Sequence, residues 1–273
     1  MCQDCGCSIT RHDHLLTSGH SHSKTDDNIA SNPQLNDKTT LSVIHKILDK
    51  NDIEAQHNRD HFNAKGITAF NLMSSPGSGK TTLLEHLYQH TQQKYAVIEG
   101  DLETSRDADR LTAKGIAAYQ IQTGAACHLD AFMVHSALHH IDLESIDICF
   151  VENVGNLVCP ASYDVGTHKN IVLLSVPEGD DKIEKYPVMF RRADLVLVTK
   201  ADLIEHFDFS IEEAKAQLHK LNPNVELMTV SVKQPQTLLQ VTNWLSAQSL
   251  HHINNLKTAN IKNEQTDTMG ALV

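Results

Sequence analysis

Residues 74 to 82 read Ser74-Ser75-Pro76-Gly77-Ser78-Gly79-Lys80-Thr81-Thr82. They follow an apolar run, Ile67 to Met73, and lead into a helical stretch, Thr82-Leu83-Leu84-Glu85-His86-Leu87. A strand, a glycine-rich turn and a helix in that order make the context of a phosphate-binding P-loop. Backbone N–H groups of such a turn and of the helix N-terminus aim at phosphate oxygens. Lys80 adds a point charge on the β and γ phosphates, and Thr81 offers its hydroxyl to Mg²⁺. Gly77, Ser78, Gly79, Lys80, Thr81 and Thr82 are therefore candidate phosphate contacts. Ser74 stands where the usual motif begins with glycine, a place that tolerates a small side chain more readily than Gly79 does.

Outward from this loop, short apolar runs alternate with helical stretches. The runs are Ile67 to Met73, Tyr95 to Glu99, Ala117 to Ile121, Ile148 to Val151, Ile171 to Val176, Leu195 to Thr199 and Val225 to Val230. Near-continuous apolar strands joined by helical crossovers imply a sheet covered on both faces. The expected fold is an α/β P-loop NTPase domain with a mostly parallel sheet of about seven strands flanked by helices, preceded by a flexible arm. Leu41, Ile44, Ile47 and Leu48 recur at helical spacing and predict a leading amphipathic helix that packs on the domain. Residues 1–38 are polar, Cys- and His-containing and without periodicity, so they read as a mobile metal-binding arm. Residues 39–252 make the nucleotide-binding domain. The last helix contains Trp244 and is expected to fade near His252, leaving 253–273 as a polar, disordered tail.

Four later strand ends carry polar groups suited to a nucleotide. Thr199-Lys200-Ala201-Asp202 follows the sixth run. A carboxylate at Asp202 can accept both the N1 and N2 protons of guanine, whereas adenine has no N1 proton, so GTP is favoured over ATP. Lys200 belongs to the same motif, and Ser231-Val232-Lys233 lies where the site would close over the base. Glu99-Gly100-Asp101 and Glu152-Asn153-Val154-Gly155 end the second and fourth runs. Asp101 and Glu152 are suited to holding Mg²⁺ and its waters, and Gly155 lets its backbone N–H approach the γ-phosphate. The plainer reading is that Asp101 or Glu152 caps a helix. Asn156 follows Gly155, with no glutamine to orient the attacking water, so intrinsic hydrolysis should be slow.

The chain has 273 residues and a formal net charge of −11. Without a Lys/Arg run it lacks the electrostatic footprint of nucleic-acid binding. Its apolar runs fall far short of the roughly 20 residues that span a bilayer. The N-terminus shows no signal peptide, and a nucleotide site implies the cytoplasm, where the six cysteines stay reduced and serve as ligands or core residues.

Cys2, Cys5 and Cys7 crowd the N-terminus, with Gly6 giving the backbone room to fold around one ion. Their thiolates, with the Cys2 amine if Met1 is removed, suit planar Ni²⁺ or tetrahedral Zn²⁺. Cys127-His128 and Cys159 form a plausible second site if their loops converge; small buried hydrophobes are the alternative for the two cysteines. Such a set leaves a tetrahedral ion one ligand short, a place for water or a second subunit. Cys159 lies so close to Gly155 that a shift at the γ-phosphate would drag a metal ligand with it. Cys149, within an apolar run, reads as core. His135 and His139 share a helical face, a weak metal signal. Arg191 and Arg192 read as surface charge.

Together the N-terminal Cys-x-x-Cys-Gly-Cys, the P-loop, Glu-Gly-Asp, Thr-Gly-x-x-Cys-His-Leu-Asp and Glu-Asn-Val-Gly-Asn-Leu-Val-Cys-Pro resemble the HypB family of hydrogenase-maturation GTPases. The resemblance covers the first seven residues and about 39 to 250. It implies a SIMIBI-class G domain that dimerises with GTP, works with HypA, and delivers Ni²⁺ to the [NiFe]-hydrogenase large subunit. By resemblance Cys2, Cys5 and Cys7 match a tight nickel site, while Cys127, His128 and Cys159 match a nickel or zinc site near the dimer interface. Lys80, Thr81 and Asp101 match phosphate and Mg²⁺ contacts, and Asp202 matches guanine recognition. Thr199, where small guanine-nucleotide proteins often carry Asn, departs from the common pattern. Two other readings remain open: a P-loop kinase for a small molecule, for which no acceptor pocket or arginine-bearing lid is legible, and a metal store with a structural nucleotide site.

Overall fold

The computed structural model describes residues 38–101 and 106–270, with side chains from 46 to 101 and 106 to 259. Cys2, Cys5 and Cys7 and the histidines of the arm lie outside the described residues.

Each of the seven apolar runs forms a strand: β1 Thr68–Ser74, β2 Tyr95–Asp101, β3 Ala117–Gln122, β4 Ile148–Glu152, β5 Lys169–Ser175, β6 Leu195–Thr199 and β7 Glu226–Val230. All pair in parallel, in the order β3-β2-β4-β1-β5-β6-β7. Helices α1 Lys38–Lys65, α2 Lys80–Tyr88, α3 Arg106–Ala113, α4 Ala131–Leu138, α5 Lys182–Lys185, α6 Pro187–Arg191, α7 Ile211–Leu221 and α8 Pro235–Gly270 complete the domain. The helix expected to fade near His252 thus runs past it to Gly270.

Alternation along the central strands sends side chains to two cores. Phe70 and Leu72 of β1 meet Phe150, Tyr95, Leu84 of α2 and Trp244 of α8 on one face. Phe70 stacks on Phe150 with ring centroids 5.7 Å apart, and Trp244 is anchored by its indole N–H donating to Glu226 at 2.7 Å. On the other face Ala69, Ile98, Cys149 and Val151 pack under Phe62 of α1 and Val134 of α4. Cys149 is fully buried there, and burial pushes its thiol up to about 12, as a core cysteine should be.

The first helix docks by the stripe its apolar residues begin. Leu48 is half-buried, and the buried Asn51, Ala55, Asn58 and Phe62 continue it at the same three- and four-residue spacing, while Ile47 is exposed. The two asparagines on this stripe serve the start of α4: Asn51 Oδ1 accepts from Ala131 N at 3.0 Å, and Asn58 Nδ2 donates to Ala131 O at 2.8 Å. Asp130 caps the same helix by accepting from Met133 N at 2.8 Å, a contact worth about 1 kcal/mol. Three side chains thus hold the chain segment that leaves Cys127-His128.

Strand order also places the loops. The chain moves from β1 outward to β2 and β3, returns to insert β4 beside β1, then builds β5 to β7 on the opposite side. Loops after neighbouring strands therefore diverge around the carboxyl ends of β1 and β4, the crevice where open parallel sheets bind ligands.

Candidate functional site

At the mouth of that crevice the turn after β1 takes the conformation its glycines permit. Gly77 has φ 73° and Gly79 has φ 97° with ψ 28°, left-handed values that put strain on any side chain. Ser74, in the place of the first glycine, is fully buried and works as a hub. Its hydroxyl lies 2.5 Å from Ser78 Oγ and accepts from Lys80 Nζ at 3.0 Å. Burial holds the Lys80 ammonium below its usual range, opposed by the charges of Glu152 and Glu99. The lysine is thus poised over the loop in a setting that favours an added anion.

The acidic side of the crevice is built by two adjacent strands. Thr81 Oγ1 donates to Glu152 Oε1 at 2.9 Å. Glu152 is the register partner of Glu99 on β2, so the two carboxylates emerge side by side. Burial pushes Glu99 up to about 8, reinforced by the Glu152 charge. Burial pushes Glu152 up to about 7, opposed by Lys80 and the Thr81 hydrogen bond. One oxygen of each, Glu99 Oε2 and Glu152 Oε2, is buried without a hydrogen-bond partner. Orphaned carboxylate oxygens beside the Thr81 hydroxyl suit a hard cation with its waters, the chemistry of Mg²⁺. Asp101 ends the same strand two residues beyond Glu99, on the same strand face by alternation. Gly155 touches the P-loop: a Cβ there would sit 2.8 Å from Pro76 Cα and 2.9 Å from Pro76 N.

A cleft of about 330 Å³ continues from the P-loop between the ends of β6 and β7. Lys200, in left-handed conformation at φ 57°, lays its side chain along it and donates to Gly77 O at 2.8 Å. Thr199 Oγ1 donates to Ser78 O at 2.8 Å, so the residue that departs from the common guanine motif braces the P-loop. Asp202 is held from both sides, by Ser231 Oγ at 2.7 Å and Lys233 Nζ at 2.7 Å. These hydrogen bonds, Lys233 first, keep its carboxyl below the usual range and ionised. Val230, Val232 and Leu203 supply apolar walls, so the cleft offers a flat ring an apolar slot with one fixed carboxylate at its end.

Beyond the acidic pair the loops after β3 and β4 converge. Cys127, His128 and Cys159 bring one ligand atom each to within 4.8 Å of one another. Cys127 Sγ lies 3.8 Å from His128 Nδ1, near the separation that one tetrahedral ion would impose on a sulfur and a nitrogen. The His128 ring is buried against Tyr163, with centroids 4.0 Å apart and planes at 20°. Two soft thiolates and an imidazole suit Ni²⁺ or Zn²⁺. The triad is tied to the nucleotide end at three points. Thr123 N donates to Asp101 O at 2.9 Å, Leu129 fills the space left by Gly100, and Leu129 N donates to Asn153 Oδ1 at 3.0 Å.

Lys200 and Asp202 therefore line the cleft that opens from the P-loop, Thr81 and Glu152 are joined by a hydrogen bond, Gly155 packs on Pro76, and Cys127, His128 and Cys159 come together. Glu99 and Asn153 were quoted within their motifs but given no task of their own. For Glu99 the signal is alternation with Asp101; for Asn153 there is none, since its distant partners, Leu129 and Asn71, lie far from it along the chain. Arg191 and Arg192 are exposed and belong to the surface.

A parallel sheet of this order with such a loop defines a P-loop nucleotide-binding domain, and residues 68–229 match the family model described as CobW/HypB/UreG, nucleotide-binding domain. Among similar proteins, the hydrogenase/urease maturation factor HypB of Helicobacter hepaticus is 50% identical over 80% of this chain and 92% of its own length. The hydrogenase maturation factor HypB of Escherichia coli K12 is 43% identical over 79% of this chain and 75% of its own. The crystal structure of HypB from Helicobacter pylori in complex with nickel superposes with a TM-score of 0.73 at 47% identity, covering 75% of this chain and 97% of that one. HypB from Archaeoglobus fulgidus gives 0.69 at 34% identity, covering 74% and 100%. The chain belongs to the HypB family of hydrogenase-maturation factors.

Proposed function

We propose that this chain is a GTP-hydrolysing nickel carrier that assists Ni²⁺ insertion into the [NiFe]-hydrogenase large subunit, with GTP-dependent dimerisation and metal release. The observation that carries it is the joining of the Cys127, His128 and Cys159 triad to the phosphate end of the crevice through Asn153, whose neighbour Glu152 holds Thr81. The nickel complex of the Helicobacter pylori relative supports the choice of cargo.

In this reading the turn from Gly77 to Thr82 cradles the phosphates through its N–H groups, with Lys80 on the β and γ oxygens. Thr81, Asp101 and Glu152 would hold Mg²⁺, with Glu99 beside Glu152 on the neighbouring strand. When bound, Mg²⁺ neutralises charge that builds on the phosphate oxygens. Asp202 accepts two guanine protons while Lys200 keeps the P-loop closed. Hydrolysis breaks the bond between the γ-phosphorus and the β–γ bridging oxygen as water attacks, giving GDP and phosphate. Asn156 spends its side-chain oxygen on the backbone N–H of Val158 at 2.8 Å. It is therefore not placed as a glutamine would be to orient the water, which supports slow intrinsic turnover.

Phosphate release lets the segment from Glu152 to Cys159 move, and Cys159 moves with it. The triad leaves an ion open to a further ligand; Val158, 57% exposed, adjoins Cys159, and Phe132, 51% exposed, stands four residues after His128. A second copy of this chain would cover them, supporting a homodimer with GTP. Cys2, Cys5 and Cys7 serve as a first nickel site on an arm spanning residues 1–38, ahead of the G domain at 39–252; HypA is the expected partner, Zn²⁺ an alternative ion at the triad, and the cytoplasm the compartment. Among the described residues no helix is long and apolar enough to cross a membrane.

The test is Ni²⁺ affinity with GDP and with a non-hydrolysable GTP analogue, for the native chain and for Cys127→Ala. The expected result is a nucleotide-dependent affinity that Cys127→Ala removes. Equal affinity in both nucleotide states overturns the metal-release step, and unchanged hydrogenase maturation on Lys80→Ala overturns the role of GTP.

A further inference from the structure

The end of α4 carries a second group of metal-ligating side chains. His135 and His139, one turn apart, face each other with Nε2 atoms 3.2 Å apart. Two nitrogens bound at about 2.0–2.1 Å to one tetrahedral ion would lie roughly 3.3 Å apart. His61 of α1 stands edge-on to His139, with centroids 6.1 Å apart. Its Nε2 is buried without a hydrogen-bond partner.

The tautomer of His135 follows from its neighbours. Asn58 Nδ2 donates to two carbonyls, Ala131 O at 2.8 Å and Val165 O at 3.2 Å, which fixes which way the amide points. Its Oδ1 therefore faces His135 Nδ1, at 3.0 Å, and Glu54 Oε1 is 3.0 Å from the same nitrogen. With two acceptors against it, Nδ1 must carry a proton, and in the neutral ring Nε2 is left as a bare lone pair directed at His139. A carboxylate on the far nitrogen of an imidazole is the arrangement that orients histidine ligands and raises their basicity.

We propose that His135 and His139 form a second metal site, for a borderline divalent ion such as Ni²⁺ or Zn²⁺, with Glu54 and Asn58 as the groups that position His135. His61, whose nitrogens do not come within 4.8 Å of both partners in this structure, is drawn in from α1 as a third ligand when the ion binds. The site uses imidazole alone, so it holds its ion more weakly and exchanges it faster than the thiolate triad does. It lies on the helix that starts three residues after His128, so an ion held there is stored on the element that directly follows two of the triad's ligands in the chain. The competing account of the same geometry is an N–H···N hydrogen bond between His139 and His135 with no metal.

The experiment uses the full chain with Cys2, Cys5, Cys7, Cys127 and Cys159 replaced by Ser, titrated with Ni²⁺ and separately with Zn²⁺ and followed by calorimetry and X-ray absorption. The expected result is one equivalent bound through N/O ligands only. Binding should weaken at least tenfold with His139→Gln, whose exposed side chain leaves the fold unaffected, and by about 10- to 100-fold with Glu54→Gln, the range for positioning groups. Ring-nitrogen NMR should show His61, His135 and His139 shifting with the metal. Unchanged affinity in His139→Gln, or shifts confined to arm histidines, places the ion elsewhere and overturns the proposal. So does the absence of any bound equivalent, which leaves the hydrogen bond as the account.

Discussion

The side-chain oxygen of Asn153 accepts from the backbone N–H of Leu129 at 3.0 Å and from its neighbour Val154 N at 3.0 Å. One amide thereby fastens the segment after His128 to the segment between Glu152 and Gly155. Asn153→Ala leaves two buried donors unpaired, at a cost of about 1–3 kcal/mol. If this is the route by which nucleotide reaches metal, the ratio of Ni²⁺ affinities with GDP and GTP analogue should collapse toward one, from the roughly 5- to 150-fold typical of coupled sites. Calorimetric titration in both nucleotide states decides it; an unchanged ratio removes Asn153 from the route.

Glu99 and Glu152 make the nucleotide-free protein sensitive to pH. Their folded pKa values, about 8 and about 7, lie above the ordinary 4.5 because burial penalises the charge. The folded state then binds more protons than the unfolded one, so their contribution to stability is full below about 4.5 and is lost as pH rises through about 7 to 8. Melting temperature should fall across that window without Mg²⁺ and nucleotide. Glu99→Gln should flatten the fall, and Mg²⁺ with GDP should do the same in the native chain. An equal slope in Glu99→Gln would show that other groups set it.

Asp202→Asn tests base selection. The amide can no longer accept two protons, so GTP affinity should drop roughly 10- to 100-fold, from about 1.5–3 kcal/mol for hydrogen bonds to a charged group. Xanthosine triphosphate, which presents an acceptor where guanine has its N2 protons, should bind better than GTP. Competition titration with the two nucleotides reads the switch, and retained GTP preference would mean that Asp202 is spent on Ser231 and Lys233 alone.

Gly155→Ala places a methyl within 2.9 Å of the Pro76 backbone, so one of the two loops must shift. Overpacking of this kind costs about 1–3 kcal/mol. Affinity for the GTP analogue should fall about tenfold, equivalent to about 1.4 kcal/mol, while GDP, held by Gly77 to Thr82, should bind nearly as before. Equal losses for the two nucleotides would place the strain in the P-loop itself.

Much of this molecule is legible along the chain because its signals are local. A strand buried on both faces must be an apolar run, as Ile171 to Leu174 is. The turn before Lys80 needs φ values that glycine adopts freely, so the P-loop announces itself in Gly77 and Gly79. Cysteine and histidine in the runs after Gly124 and Gly155 declare their chemistry by type. The seven strands, the phosphate loop, Asp202 and the members of the triad were therefore determined by the sequence, each within a few residues of itself.

What only the tertiary structure decided rests on which strands became neighbours. Glu99 and Glu152 stand side by side because β4 inserts between β2 and β1, and no periodicity encodes that order. α1 docks through Asn51 and Asn58 because those amides find the start of α4; they lie on the stripe that Leu48 begins, but a polar amide in the sequence gives no sign that it will be buried. His135 and His139 were a weak pair by spacing. They became a candidate site when α1 brought His61, Glu54 and Asn58 against them. The physical reason is common to all three. Burial and hydrogen-bond partners are properties of a packed arrangement, and the groups that supply them lie far apart along the chain.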